Sequence, residues 1–383
     1  MSSASSPGES AYVLHVCDYA APYKGSFIRQ LELLDDELGA RGLGGSAFAF
    51  PPAAEGTDWF AEMVGHGRRA YTLPPPGIRA LGAYSAIRAL LGSTGCDIVH
   101  SHFLGYDIPS ALAVARERAA GHRRMLIWHY RTALERPLAE RSLAQRLKDG
   151  LKFRYLGSGV DRYVAVTEAL AREAAARGAD GRVSAVVAGC DTDAFQPDPD
   201  ARLRGRAALE VADDETLILH FGWHWKRKGG DVLVAAAKLL ADRGMARLSF
   251  VSVGAPPDEV APPVRDIPFT ERVAELHQAA DIFVSASRSE GFGNGLIEAF
   301  ASGTPAVATL VEGQRELFEG VSGCYSAAPD DAEGIADAIE TLLEQRADWP
   351  RLGAVNRRHV VRHHSMRDWA RRMADLYEEV AAN

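Results

Sequence analysis

Cysteine is scarce and scattered. Cys17, Cys96, Cys190 and Cys324 are the four in 383 residues, and no two of them form a C-x-x-C pair. That argues against a zinc knuckle, a dithiol redox centre or a disulfide framework, and leaves four small apolar side chains suited to a core. An excess of positive charge is missing too. Lys and Arg number 43 against 51 Asp and Glu, a formal charge of −8, the opposite of what a nucleic-acid binder carries. A local basic cluster can still hold a small phosphorylated ligand against that sign. No apolar run approaches the ~20 residues that span a bilayer. Residues 1–10 lack the basic and apolar regions of a secretory signal. A cytoplasmic protein is expected.

What is present is enough for two cores. The apolar fraction is 47%, and the length exceeds the roughly 250–300 residues at which single cores stop growing. Short apolar and β-branched runs at 12–17, 46–50, 97–101, 125–129, 161–166 and 183–187 alternate with helical patterns at 27–41, 78–91, 108–118 and 168–177. Near-continuous apolar strands joined by amphipathic helices are what a parallel sheet covered on both faces requires. Residues 188–206 are polar with two prolines and read as a linker. The alternation then restarts with strands at 217–221, 248–253, 281–285 and 306–310 and helices at 231–242, 271–280 and 295–301. The fold class is α/β: two Rossmann-like, doubly wound parallel-sheet domains facing a cleft. The expected divisions are 1–195, 196–365 and an amphipathic helix at 366–383 that crosses back to the first domain.

Chemistry concentrates in two stretches. Glu290-Gly291-Phe292-Gly293-Asn294-Gly295-Leu296-Ile297-Glu298 follows an apolar strand and enters a helix. Glycines before a helix start let backbone N–H groups approach an anion, which the helix dipole also favours. Carboxylates there suit sugar or ribose hydroxyls. On spacing alone, a tight turn with glutamates capping the helix serves equally well. The second stretch, His220-Phe221-Gly222-Trp223-His224-Trp225-Lys226-Arg227-Lys228-Gly229-Gly230, puts three cations beside glycines at a strand-to-helix switch. It suits a diphosphate, or else a solvated basic loop. The two tryptophans fit pure solvation poorly. Asp191-Thr192-Asp193 reads as a solvated acidic turn. His100 and His102 alternate on one strand face without a third ligand, which is no metal site.

Together these residues resemble the family 4 glycosyltransferases of the GT-B fold. Glu290 and Glu298 match the two carboxylates of the family's donor signature, followed by Ala299-Phe300-Ala301-Ser302-Gly303-Thr304-Pro305. Lys228-Gly229 matches its diphosphate-binding step, and 312–316 and 321–323 match further landmarks. In the first half, Tyr23-Lys24-Gly25-Ser26 is similar to a phosphate-facing glycine loop, and Trp128-His129-Tyr130 to a strand end near the reacting sugar. The resemblance implies His129, Glu290 and Lys228 as catalytic residues. It also implies a donor-binding set of Gly25, Gly222, Arg227, Lys228, Glu290, Phe292, Gly293, Asn294, Gly295 and Glu298. His129 read without it is a satisfied core histidine. Trp223 stands where many relatives have arginine, and Lys226 or Arg227 is the substitute to look for. Ala188-Gly189 replaces the usual Asn-Gly turn between the domains.

The implied activity is a retaining, metal-independent transfer of a hexosyl group from a nucleotide-sugar, UDP-linked by preference, to a hydroxyl acceptor of unknown identity. No cofactor or metal is implied, and no nucleic-acid partner. Residues 131–154 carry seven Arg/Lys against three Asp/Glu, which suits weak contact with anionic lipid or a solvated helix face. A nucleotide-sugar epimerase and a catalytically silent nucleotide-sugar binding subunit are the alternatives.

Overall fold

The computed structural model describes residues 12–76, 80–131, 142–143, 152–179 and 181–382. The chain forms two compact units, one of Met1–Ala188 with Arg367–Asn383 and the other of Gly189–Met366. The second unit begins at Gly189, where only a residue without a Cβ fits. A Cβ at Gly189 would lie 2.8 Å from the backbone of Met366. The returning chain pairs there, with Cys190 N–H donating to His364 O at 2.8 Å and Met366 N–H to Cys190 O at 2.9 Å.

Among the described residues, the first unit holds a seven-stranded parallel sheet in the order β3-β2-β1-β4-β5-β6-β7. Its strands are β1 Val13–Cys17, β2 Ser46–Phe50, β3 Arg69–Thr72, β4 Ile98–His102, β5 Met125–Tyr130, β6 Arg162–Ala165 and β7 Val183–Ala185. Every residue of β1, β2 and β4 is buried, as expected where helices cover both sheet faces. The register sets Cys17 beside His102 and His102 beside His129, so three strands deliver their carboxyl ends together. The helix Gly25–Ala40 turns Phe27, Ile28 and Leu31 onto Phe48, Phe50 and Trp59. The final helix, Met366–Ala382, buries Trp369, Met373 and Tyr377 completely. Arg41 binds Asp375 and Glu378 on it at 2.7 and 3.1 Å, and Arg162 binds Glu379 at 2.6 Å.

The second unit holds six parallel strands in the order β10-β9-β8-β11-β12-β13. They are β8 Thr216–Phe221, β9 Leu248–Val253, β10 Val264–Ile267, β11 Ile282–Ser285, β12 Ala306–Thr309 and β13 Cys324–Ala327. The helices Gly230–Asp242 and Ala332–Glu344 meet over this sheet through Leu233, Leu240, Ile335 and Ile339.

Two expectations need correction. The stretch 188–206 is not all linker, because a helix runs from Pro199 to Ala208. Asp198 caps it by accepting from the N–H groups of Asp200 and Ala201, and Arg202 and Arg206 both bind Asp281, at 2.5 and 2.9 Å. His100 and His102 do have a third histidine beside them: β1 supplies His15. The unanticipated strands β3, β10 and β13 are all at sheet edges and only partly buried. None of the helices among the described residues is long and apolar enough to cross a membrane.

Candidate functional site

In the second unit the site begins where β8 ends. A Cβ on Gly222 would lie 2.5 Å from Ser252 Oγ and 2.8 Å from Ala255 Cβ, so only glycine passes. The chain turns through His224 in the left-handed region (φ 64°) into a four-residue helix, Trp225–Lys228. Gly229 is left-handed as well (φ 69°), and a Cβ there would sit 1.9 Å from Ala286 O. Trp225 is core rather than surface, at 3% exposure. His220, buried beneath, lies 3.1 Å through Nε2 from Lys228 O and 2.9 Å through Nδ1 from Ser252 Oγ. Burial pulls its pKa down to about 4, so it is neutral and an Nε2–H can hold the Lys228 carbonyl.

That turn aims Lys228 at Glu290. Their Nζ and Oε1 are 2.6 Å apart, with the side chains 12% and 8% exposed. Ser287 Oγ donates to the same carboxylate oxygen at 2.7 Å, and Arg227 Nη1 lies 3.5 Å from the other. Burial pushes the Glu290 carboxyl up, but Lys228, Arg227 and the two hydrogen bonds outweigh it and hold the pKa below its ordinary value. Lys228 Nζ also lies 5.1 Å from the centre of the Trp223 ring, a cation–π contact. Of the two candidate substitutes for the missing arginine, Arg227 reaches the site. Lys226 is 73% exposed and pairs with Asp231.

Gly293 (φ 96°) opens the helix Asn294–Ala301, whose first N–H groups have no partner within the helix. A Cβ at Gly293 would meet Gln314 Cγ at 2.8 Å, and one at Gly295 would meet the rings of Phe221 and Phe283 at 2.9 Å. His220, Lys228, Ser285, Ser287, Glu290 and Gln314 are among the residues lining one small crevice beside this helix. Glu298 faces inward one turn along, its Oε2 3.5 Å from Nε2 of the buried His277. Neither glutamate caps the helix. Phe292 is 4% exposed with its ring 6.1 Å from that of His364, so it packs in the interior. Asp191 accepts from the N–H groups of Asp193 and Ala194, both at 3.2 Å, which is turn chemistry.

Gly25 and His129 belong to the other unit. Gly25 (φ 59°) starts the helix Gly25–Ala40, and Lys24 beside it is held by Glu32 and Glu62 at 3.0 and 2.8 Å. His129 is 1% exposed and is one of four imidazoles under the carboxyl edge of the sheet. His129 Nδ1 lies 3.1 Å from His100 Nε2, and His15 Nδ1 lies 3.1 Å from His102 Nε2. Arg131 Nε donates to His102 Nδ1 at 3.2 Å and Nη1 to Gln30 at 2.6 Å. The guanidinium is stacked against Phe27 and Trp369, and no carboxylate pairs with it among the described residues. Burial lowers all four histidine pKa values, that of His15 to about 3, and the charge of Arg131 lowers them further. Burial takes Arg131 itself to about 9. The ring nitrogens of His15, His100 and His102 lie within 4.8 Å of one another. His15 and His102 are engaged with each other and His100 with His129 and Tyr377, and the neighbouring guanidinium opposes a cation.

The sequence motifs already contain His220 in the basic stretch and Gln314 in 312–316, Arg131 opens the basic segment and Tyr377 lies on the apolar face of the terminal helix. Sequence reasoning assigns none of these to a site, and it does not single out Ser287 or His15 at all. All six are ordinary core or loop positions in the sequence, and only strand register and helix docking bring them to the sites. The basic segment's residues 132–141 and 144–151 lie outside the described residues.

Two doubly wound parallel sheets, the second carrying a basic turn against a glycine-led helix, define the GT-B class of glycosyltransferases. Solved structures of that class agree. The glycosyltransferase of Rickettsia africae superposes with a TM-score of 0.80 over 98% of this chain and 99% of its own, at 17% identity. Anabaena HepE, crystallised with UDP and glucose, gives 0.78 over 96% and 99%, also at 17% identity. Residues 45–194 match the family model described as Glycosyltransferase Family 4, and residues 215–345 match Glycosyl transferases group 1. Both halves of the chain thus match glycosyltransferase family models. D-inositol 3-phosphate glycosyltransferase of Geodermatophilus obscurus is 37% identical over 52% of this chain and 48% of the relative. The enzyme of that name from Nocardia farcinica is 32% identical over 58% and 52%. The chain thus spans about half the length of these curated relatives.

Proposed function

We propose that this protein is a retaining, metal-independent glycosyltransferase that moves a hexosyl group from a UDP-sugar to a hydroxyl of a small-molecule, glycan or lipid-linked acceptor. The observation that carries the reading is the Lys228–Glu290 pair, buried beside the glycine-led helix start. Departure of a nucleoside diphosphate builds negative charge on its β-phosphate, and Lys228 with the N–H groups at 293–295 is the donor set to stabilise it. A cation so placed does the work a divalent ion does elsewhere. Glu290 then accepts from a donor-sugar hydroxyl, Glu298 from the ribose, and His129 contacts the sugar near its reactive carbon. The UDP preference rests on the ligands of HepE. The names of the relatives make a cyclitol phosphate the first acceptor to try. A cytoplasmic location follows from the same reading, as does salt-dependent contact of residues 131–154 with anionic lipid, which co-sedimentation with liposomes tests.

The deciding experiment is a thermal-shift panel of UDP-, GDP-, ADP- and TDP-sugars against the wild type and Lys228→Ala, with EDTA present. A ligand at a hundredfold over its dissociation constant adds about 2.7 kcal/mol of stability. The expected result is stabilisation by UDP-sugars that survives EDTA and is lost in the variant. No stabilisation by any sugar nucleotide overturns the reading. Donor binding without transfer to any acceptor favours the binding-subunit alternative, and a donor isomer formed without acceptor favours the epimerase.

A further inference from the structure

The four histidines of the first unit are joined in two hydrogen-bonded chains, and the groups at the chain ends fix which way the protons point. Arg131 is an obligate donor. Its Nε–H to His102 Nδ1 leaves the His102 proton on Nε2, facing His15 Nδ1. His15 then carries its proton on Nε2, 3.3 Å from Ser46 Oγ.

The second chain starts on the final helix. Tyr377 Oη lies 2.5 Å from His100 Nδ1, and both residues are completely buried. Burial raises the phenol pKa well above its ordinary value, so Tyr377 keeps its proton. Among the described residues His100 Nδ1 is the acceptor that proton has. If His100 donated instead, two groups would be orphaned at once: the phenol proton and an Nε2 lone pair on His129. With Tyr377 donating, His100 carries its proton on Nε2 and gives it to His129 Nδ1 at 3.1 Å. Among the described residues a single orphan then remains, an N–H on His129 Nε2, which is shut off from solvent without a partner. Each buried unsatisfied group carries its full desolvation penalty, so the arrangement with one orphan wins.

We infer that Tyr377 is a positioning residue: acting through His100, it holds His129 as the neutral Nε2–H tautomer, a hydrogen-bond donor toward a substrate oxygen and not a proton acceptor. The assignment of the tautomer stands on the first unit alone. Its use on a sugar oxygen rests on the proposed transferase activity.

The test is 15N–1H correlation spectroscopy of the ligand-free full-length chain labelled at histidine, with His129 and His100 signals assigned by His129→Gln and His100→Gln. In the wild type all four rings should carry the proton on Nε2, by roughly tenfold or more. In Tyr377→Phe the preference at His100 and His129 should fall toward parity, while His15 and His102, fixed by Arg131, stay as they were. An Nδ1–H tautomer at His129 in the wild type overturns the inference, whether or not the phenylalanine variant folds. An unchanged His129 tautomer in a folded Tyr377→Phe protein overturns the role of Tyr377. Failure of the transferase reading would leave these spectra as they are, so the two are separable.

Discussion

The two units solve one problem in opposite ways. Each gathers polar side chains near the carboxyl edge of a parallel sheet, where burial penalises charge. The second unit keeps its charges and pairs them, Lys228 and Arg227 against Glu290. The first unit keeps its imidazoles neutral and surrounds a cation, Arg131, with rings, an amide and a histidine nitrogen. A paired site exchanges partners with a charged ligand. A neutral relay presents dipoles of fixed direction instead. The difference fits a division of labour between diphosphate binding and contact with an uncharged sugar.

Acid should break the first unit before the second. Its four histidines have folded pKa values depressed below the unfolded value near 6.5. Their contribution to stability is therefore complete above that value. It is lost as pH falls through the window toward the folded values, at about 1.4 kcal/mol per pH unit for each histidine. Acid titration followed by tryptophan fluorescence and hydrogen exchange should show protection around Trp128 and Trp369 lost from about pH 6 downward. Equal or earlier loss in the second unit would contradict the contrast. The second unit loses stability in the same window through the buried His220, lowered to about 4, so the contrast among the described residues is one such fully buried ring against four. Glu290, with its folded pKa lowered, contributes stability above the unfolded carboxyl value near 4.3 and loses it only at lower pH.

Removing one charge should damage the second unit next most. Lys228→Ala leaves Glu290 buried without its nearest cation, at a cost of about 3–5 kcal/mol, and should lower transfer by about a hundredfold or more. The double variant Lys228→Met with Glu290→Leu should recover most of the stability in chemical denaturation and none of the donor binding. Recovery of binding would mean that the pair is architecture alone.

Smaller effects sharpen the same picture. Gly229→Ala forces a Cβ to within 1.9 Å of Ala286 O at a left-handed residue. It should cost about 1–3 kcal/mol and weaken donor binding by displacing Lys228, read as a raised donor Kd. Lys226→Ala should be nearly silent, within about 0.5 kcal/mol and without change in donor affinity. A large loss there would assign the missing guanidinium's role to Lys226 instead of Arg227.

Much of the architecture was legible from periodicity. The central strands β1, β4, β5, β8, β9, β11 and β12 are buried on both faces, so they stand out as apolar runs. The edge strands β3, β10 and β13 do not, because one open side admits residues such as Arg69, Asp266 and Ser326. The helix Pro199–Ala208 hid inside a polar stretch, since what holds it is two arginines on Asp281 rather than an apolar stripe.

By itself the sequence determined the local geometry of the second site. Gly222, Gly229, Gly293 and Gly295 stand where a Cβ has no room, and Lys228 and Glu290 sit on the segments those glycines shape. Backbone conformation is decided within a few residues and leaves a readable mark. The first site was decided by tertiary structure alone. His15, His100, His129, Arg131 and Tyr377 come from β1, β4, β5 with the residue after it, and the final helix, and apart from His129 and Arg131 nothing local ties one to another. Strand register and the docking of that helix bring them within hydrogen-bonding distance, and proton direction follows from the completed network.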